Sequence, residues 1–143
     1  MIVVDTNVLS ELMRPKPAPS VVEWVGEQAA TSLYTTTITQ AEVLYGILLL
    51  PAGKRRTELL GAAEAMFRED FGARVLPFGT EAAALYARIA ADRRRASRPI
   101  SHFDAQISAI ARACGARVAT RNVADFENCG VQLLNPWETS VTR

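Results

Sequence analysis

Ile2-Val3-Val4-Asp5-Thr6-Asn7-Val8-Leu9-Ser10-Glu11-Leu12 is the stretch from which the fold can be read. Its first three residues are β-branched and leave no polar face, so the strand they form is covered on both sides. Such a strand belongs to a parallel sheet layered with helices. The pattern recurs at Ser32–Thr36, Arg74–Phe78, Arg117–Thr120 and Val131–Leu134, which predicts five short strands. Helical periodicity between them predicts helices over Val8–Met13, Ser20–Gln28, Thr39–Leu50, Lys54–Phe71, Thr80–Ala96 and Ser101–Cys114. Pro15, Pro17, Pro19, Pro51 and Gly115 are the punctuation. The expected architecture is α/β: one domain over residues 1–143, a central parallel sheet of about five strands in an α/β/α sandwich, with right-handed crossovers.

Composition agrees with a single folded domain. The 143 residues are 49% hydrophobic and 22% charged, which excludes low-complexity and disordered classes. The longest strongly apolar stretch without charge, Val43 to Gly53, is about half of the ~20 residues that span a bilayer. Asp5 stops the apolar start before a signal sequence can form, so the expected location is cytoplasmic, with no membrane partner. Sixteen basic and fifteen acidic residues give a net charge of +1, so contact with nucleic acid has to be local. Fourteen of the basic residues are Arg, a bias that genomic base composition explains as readily as phosphate recognition does. Cys114 and Cys129 lack metal-ligand spacing and are expected to be buried free thiols.

The acidic residues carry the chemistry. Asp5 follows the first strand directly, at the sheet edge where parallel sheets bind ligands, and it either caps the next helix or acts there. Glu42 aligns on helical spacing with Tyr45 and Leu49, and Asp104 aligns with Ile107, Ala111 and Cys114. A carboxylate on an apolar stripe has to be neutralised, hydrogen-bonded or bound to metal. Thr39–Glu42 and Ser101–Asp104 also have the form of a capping box, as does Ser20–Glu23, so capping stays open for each. Asp125 follows the fourth strand in Thr120-Arg121-Asn122-Val123-Ala124-Asp125-Phe126 and by itself reads as a turn residue. Together, two strand-end carboxylates and two on helices converge on one sheet edge, where repulsion calls for a cation. All-oxygen ligation suits Mg2+ or Mn2+, and the lack of a His or Cys cluster disfavours Zn2+.

The first motif, Ala41-Glu42-Val43-Leu44-Tyr45-Gly46, Asp104-Ala105-Gln106-Ile107 and the Thr120–Phe126 motif stand in the order and spacing of a known family. Along essentially its whole length the chain resembles the PIN-domain ribonucleases, most closely the VapC and FitB-like toxins of bacterial toxin–antitoxin pairs. The resemblance implies a PIN fold and a Mg2+ site, with Mn2+ as substitute, formed by Asp5, Glu42, Asp104 and Asp125. Thr6, Asn7, Thr120 and Asn122 would support those carboxylates or position substrate. The implied activity is hydrolysis of RNA to 5′-phosphate and 3′-hydroxyl ends, and the implied partners are RNA, a second copy and a DNA-binding antitoxin. The antitoxin's C-terminal segment would lie across the active site. A non-catalytic module that binds RNA or antitoxin is the alternative. Phosphotransfer enzymes that use a strand-end Asp fit poorly, since Asn7 stands where one class needs a second Asp and Lys54 is the last Lys of the chain.

Other residues remain open. Arg93, Arg94, Arg95 and Arg98 form either a phosphate track or a solvated helix end. His102, two residues before Asp104, invites a role as general base, but side chains two apart on a helix diverge, which leaves solvent or phosphate contact. Trp24 and Trp137 read as packing residues. The run Val43–Leu50 is apolar all round, so Leu44, Ile47 or Leu48 is expected beneath a partner, unless the helix from Lys54 to Phe71 covers the excess.

Overall fold

The structure is a computed structural model that describes residues 1–138, so the last five residues of the domain expected over 1–143 lie outside it. Strand β1 (Ile2–Val4) is buried throughout and pairs in parallel with β2 (Leu33–Thr36) and β4 (Arg117–Ala119). Strand β3 (Val75–Leu76) extends the sheet beyond β2, and β5 (Leu133–Leu134) extends it beyond β4, giving the all-parallel order β3-β2-β1-β4-β5. The outer strands are shorter than the sequence suggested. An edge strand has one neighbour to bond, and Pro77 has no N–H to give.

Alternation along β1 sorts the two layers. Ile2 and Val4 face a core built with Val8 and Leu9 of α1 (Thr6–Leu12), Val21 of α2 (Pro19–Glu27), Val43 and Ile47 of α3 (Thr37–Leu48), and Ala63 of α4 (Lys54–Ala65). A π-helical turn, Met66–Phe71, continues α4 and delivers Phe67 and Phe71 to the same core. Val3 faces the opposite side, with Val118, Phe126, and Ile107 and Ala111 of α6 (His102–Ala113). On that side α5 (Thr80–Arg95) packs along α6 through Ala82, Ile89, Ala109 and Ile110. Among the described residues no helix is long and apolar enough to cross a membrane.

Helix starts decide which acids are caps. The Asp5 carboxylate accepts from the Thr6 N–H at 2.7 Å, so α1 begins immediately after the strand rather than at Val8. In α3 the cap is Thr36, whose hydroxyl accepts from the Thr39 N–H at 3.0 Å; the expected Thr39–Glu42 box does not form, and Glu42 sits a turn inside the helix. Ser20–Glu23 is no box either, because α2 starts at Pro19, a residue pre-set for the first helical turn. Ser101 does cap α6, accepting from the Asp104 N–H at 3.1 Å.

Three expectations about burial change. Glu42, Tyr45 and Leu49 do not form a core stripe, since Tyr45 and Leu49 are 66% and 67% exposed and α3 buries Thr39, Val43 and Ile47 instead. Of the three apolar residues expected beneath a partner, Ile47 is buried within the chain, Leu44 is half-buried against the same core, and Leu48 stays 53% exposed. Cys129 is buried as expected, but Cys114 is exposed. It lies at the end of α6 just before Gly115, whose φ of +66° turns the chain toward β4 beyond the cover of the layers.

Candidate active site

The chain leaves β1 for β2 on one side and returns to β4 on the other, so the crevice past the carboxyl ends of β1 and β4 is the topological switch point. Asp5 and Thr120 are the first residues beyond those two strands. The Asp5 N–H bonds the Ala119 carbonyl at 2.9 Å, which locks them side by side.

Asp5 is 3% exposed and has both oxygens engaged. Oδ1 accepts from the Thr6 N–H, while Oδ2 accepts from the Thr120 hydroxyl at 2.9 Å and from Asn7 Nδ2 at 3.0 Å. The Thr120 hydroxyl oxygen in turn accepts from the Asn122 N–H at 3.1 Å, and Asn7 Oδ1 accepts from the Arg121 N–H at 3.2 Å. The four polar residues flagged in the sequence thus tie the two strand ends together around Asp5. Thr6 also donates its hydroxyl to Glu42 Oε1 at 2.7 Å, orienting the α3 carboxylate. Asp104 enters from the first turn of α6.

Asp5, Glu42 and Asp104 line one cleft of about 490 Å³, together with Thr6, Asn7 and Asn122. Burial pushes the Asp5 carboxyl up to about 6, and the charges of Asp104 and Glu42 add to that against its hydrogen bonds. Glu42 is raised by burial and by Asp104, opposed by the Thr6 hydroxyl. Asp104 is raised by burial and by the charge of Asp125, opposed by Ser101 and Arg93. Asp125 itself is exposed, on the 3-10 turn Val123–Phe126. It does not line the cleft, and it reaches the cluster through its field on Asp104.

Three carboxylates in one cleft, each raised chiefly by burial and further by neighbouring acids, form a site for positive charge. Among the described residues no three His, Cys, Asp or Glu side chains stand at the spacing that grips a metal ion directly. The donor set still fits a hard divalent cation. The cleft offers carboxylate, hydroxyl and amide oxygens, with no thiol or imidazole, and Mg2+ keeps several waters while taking one or two carboxylates.

The cleft also holds Ser10, Glu11, Arg14 and Arg121, which the sequence did not single out, and Trp137. Glu11 is buried, accepting from the Ala18 N–H at 2.8 Å and pairing with Arg14 at 3.3 Å. Its one signal in the sequence is its position four residues after Asn7, on the same face of α1. Arg121 lies inside the Thr120–Phe126 motif. Trp137, read as packing, does pack on the core beside β1 but also forms part of the cleft wall. Trp24 packs as expected.

None of Arg93, Arg94, Arg95, Arg98 and His102 lines the cleft. Arg93 is buried, not a surface phosphate contact. Its guanidinium donates to the carbonyls of Arg98 at 2.7 Å, Asp125 at 3.0 Å and Glu127 at 2.9 Å, tying the end of α5 to the loop that carries Asp125. Arg95 pairs with Asp92, Arg98 pairs with Glu127, and Arg94 is exposed. His102 is exposed, with Nδ1 2.6 Å from the Tyr86 hydroxyl. Replacing Arg93 by Met strands three carbonyls, and urea unfolding should show a loss of roughly 2–4 kcal/mol. A loss below about 1 kcal/mol would mean that water serves those carbonyls equally well.

Comparison with known proteins gives results that agree with this geometry. A family model described as PIN domain matches residues 2–129. The chain is 41% identical over 138 residues to the VapC ribonuclease Y4jK of Sinorhizobium fredii, covering 96% of this chain and 99% of that one. It is 36% identical over 137 residues to Toxin FitB of Neisseria gonorrhoeae, again covering 96% and 99%. A solved structure of FitAB bound to an IR36 DNA fragment superposes with a TM-score of 0.93 at 35% identity, covering all of both chains.

Proposed function

The chain belongs to the PIN-domain family, and from that premise we propose that it is a metal-dependent endoribonuclease, the toxin of a type II toxin–antitoxin pair. The observation that carries this reading is the set of three carboxylates, Asp5, Glu42 and Asp104, facing one cleft at the switch point of the sheet. Asp125 stands just outside and adds its charge.

A bound Mg2+ or Mn2+ would supply Lewis acidity toward a water and the scissile phosphate. Asp5, Glu42 and Asp104 would hold it, with Asp125 contributing from the margin. Thr6, Asn7 and Thr120 fix the rotamer of Asp5, and Thr6 fixes Glu42, so the acidic oxygens are aimed before substrate arrives. At neutral pH a carboxyl at about 6 is mostly ionised and ready to bind a cation. Water adds to phosphorus in line with the departing O3′, the P–O3′ bond breaks, and the products carry a 5′-phosphate and a 3′-hydroxyl. The ribose 2′-hydroxyl takes no part, so preference for RNA comes from shape and contacts.

The working assembly in this reading is a cytoplasmic homodimer bound to a DNA-binding antitoxin whose C-terminal segment shields Asp5 and Asp104. Tyr45, Leu48 and Leu49 form an exposed apolar face at the end of α3, which supports an assembly surface there. Purified protein should cut single-stranded RNA in Mg2+ or Mn2+, lose that activity in EDTA and recover it on addition of Mn2+. Wild-type rates in EDTA would overturn the mechanism, and binding without cleavage in either metal would leave only the non-catalytic module.

A further inference from the structure

Arg121 stands at the rim of a cleft that holds three carboxylates, yet it pairs with none of them. Among the described residues its guanidinium makes no ion pair, whereas Arg14, the other cation of the cleft, is held by Glu11. Arg121 instead lies over the ring of Trp137, 5.3 Å from the centroid, within cation–π range. Both partners are anchored. The Arg121 N–H bonds Asn7 Oδ1, and the Trp137 N–H bonds Asn135 Oδ1 at 3.0 Å while its side chain packs on the core beside β1. Arg121 is exposed and Trp137 half-buried, so the ring supports the guanidinium from the protein side and leaves it open toward the cleft.

A cation held over an aromatic ring beside the proposed cleavage site is suited to a strand of nucleic acid. Its planar face stacks on an unpaired base, and its N–H edge donates to the adjoining phosphate. A paired base hides its face inside the helix and cannot use such a surface. We propose that Arg121 on Trp137 is the stacking platform for the nucleotide next to the scissile phosphate, a seat that only an unpaired base can take. This assignment rests on the nuclease reading above and is tested apart from it.

With Trp24→Phe as background, emission comes from Trp137 alone. An unlabelled 12-nucleotide single-stranded RNA, titrated in EDTA at low ionic strength, should quench that emission, and its duplex should bind about tenfold more weakly. Arg121→Lys keeps the charge but loses the plane, and should weaken single-strand binding about tenfold at an unchanged melting temperature. By anisotropy of a labelled 12-mer, Trp137→Leu should weaken binding similarly, whereas Trp137→Phe should restore most of it. In steady-state cleavage Arg121→Lys should raise KM about tenfold and leave kcat within about twofold. Binding by Arg121→Lys within about twofold of the parent, or equal binding of duplex and single strand, would overturn the platform while wild-type cleavage kept the nuclease reading. Quenching lost in Arg121→Lys, together with no cleavage by the wild type in Mg2+ or Mn2+, would keep the platform and remove the nuclease reading.

Discussion

Asp5→Asn and Asp104→Asn should each lower RNA cleavage by more than about a hundredfold, beyond the ~10–100-fold that loss of a supporting contact costs a metal site. Both changes keep side-chain volume and remove one negative charge from the cleft. Asp104→Asn leaves the start of α6 intact, since Ser101 caps through the Asp104 backbone N–H and not through the carboxylate. Asp5→Asn is less neutral. The Asp5 carboxylate accepts from three donors, and an amide turns its NH2 toward either the Thr6 N–H or the pair Asn7 and Thr120. Its cleavage defect should therefore come with a shift in side-chain position that Asp104→Asn does not show. Glu42→Gln keeps an oxygen for the Thr6 hydroxyl and isolates the effect of charge. Asp125→Asn, at an exposed carboxyl outside the cleft wall, should cost about tenfold, the lower end for a supporting contact. Initial rates on one oligonucleotide at saturating Mn2+, with circular dichroism as the fold control, rank the four. Near-wild-type cleavage by Asp104→Asn would remove the carboxylate mechanism.

What the sequence made legible follows from range. Ile2-Val3-Val4 and the four other apolar runs are local signals, and each holds a strand, but only β1 is buried throughout; the half-buried outer strands keep two residues each. The candidate site was legible in part for the same reason. Asp5 and Thr120 end adjacent strands, and strand ends are countable from a sequence even when their partners are not. What escaped depends on distant contacts. Thr36 took the cap of α3 because its strand ran straight into the helix, so Glu42 lay a turn deeper than a capping box places it. Arg93 looks like its neighbours Arg94 and Arg95, and what distinguishes it is the Arg98 carbonyl together with two carbonyls more than thirty residues away. Trp137 had the composition of a core residue. Its ring meets Arg121 only because β5 runs beside β4.

Divalent cation should raise the melting temperature, and by more as the pH rises. Asp5 ordinarily titrates near 3.8 and is held at about 6 in the fold, so folding favours its protonated form. Its stabilising contribution is present at low pH and is lost as the pH climbs from about 4 through 6, and the difference is worth ~3 kcal/mol. Glu42 and Asp104, both raised by burial, act in the same direction. These three groups should therefore cost the metal-free protein stability between pH 4 and pH 7, and Asp104→Asn should recover a few degrees at pH 7. A cation reverses the trend by binding the ionised carboxylates. At a hundredfold excess over its Kd it contributes about 2.7 kcal/mol, a shift on the order of 8 °C for a chain of this size. At pH 5 protons compete and the shift shrinks. NaCl at matched ionic strength separates site binding from screening, since screening cannot distinguish Mn2+ from Na+ once ionic strength is equal. Equal melting temperatures in EDTA and in Mn2+ at pH 8, with Asp104→Asn no more stable than its parent, would mean that the carboxylates neither repel one another nor share an ion.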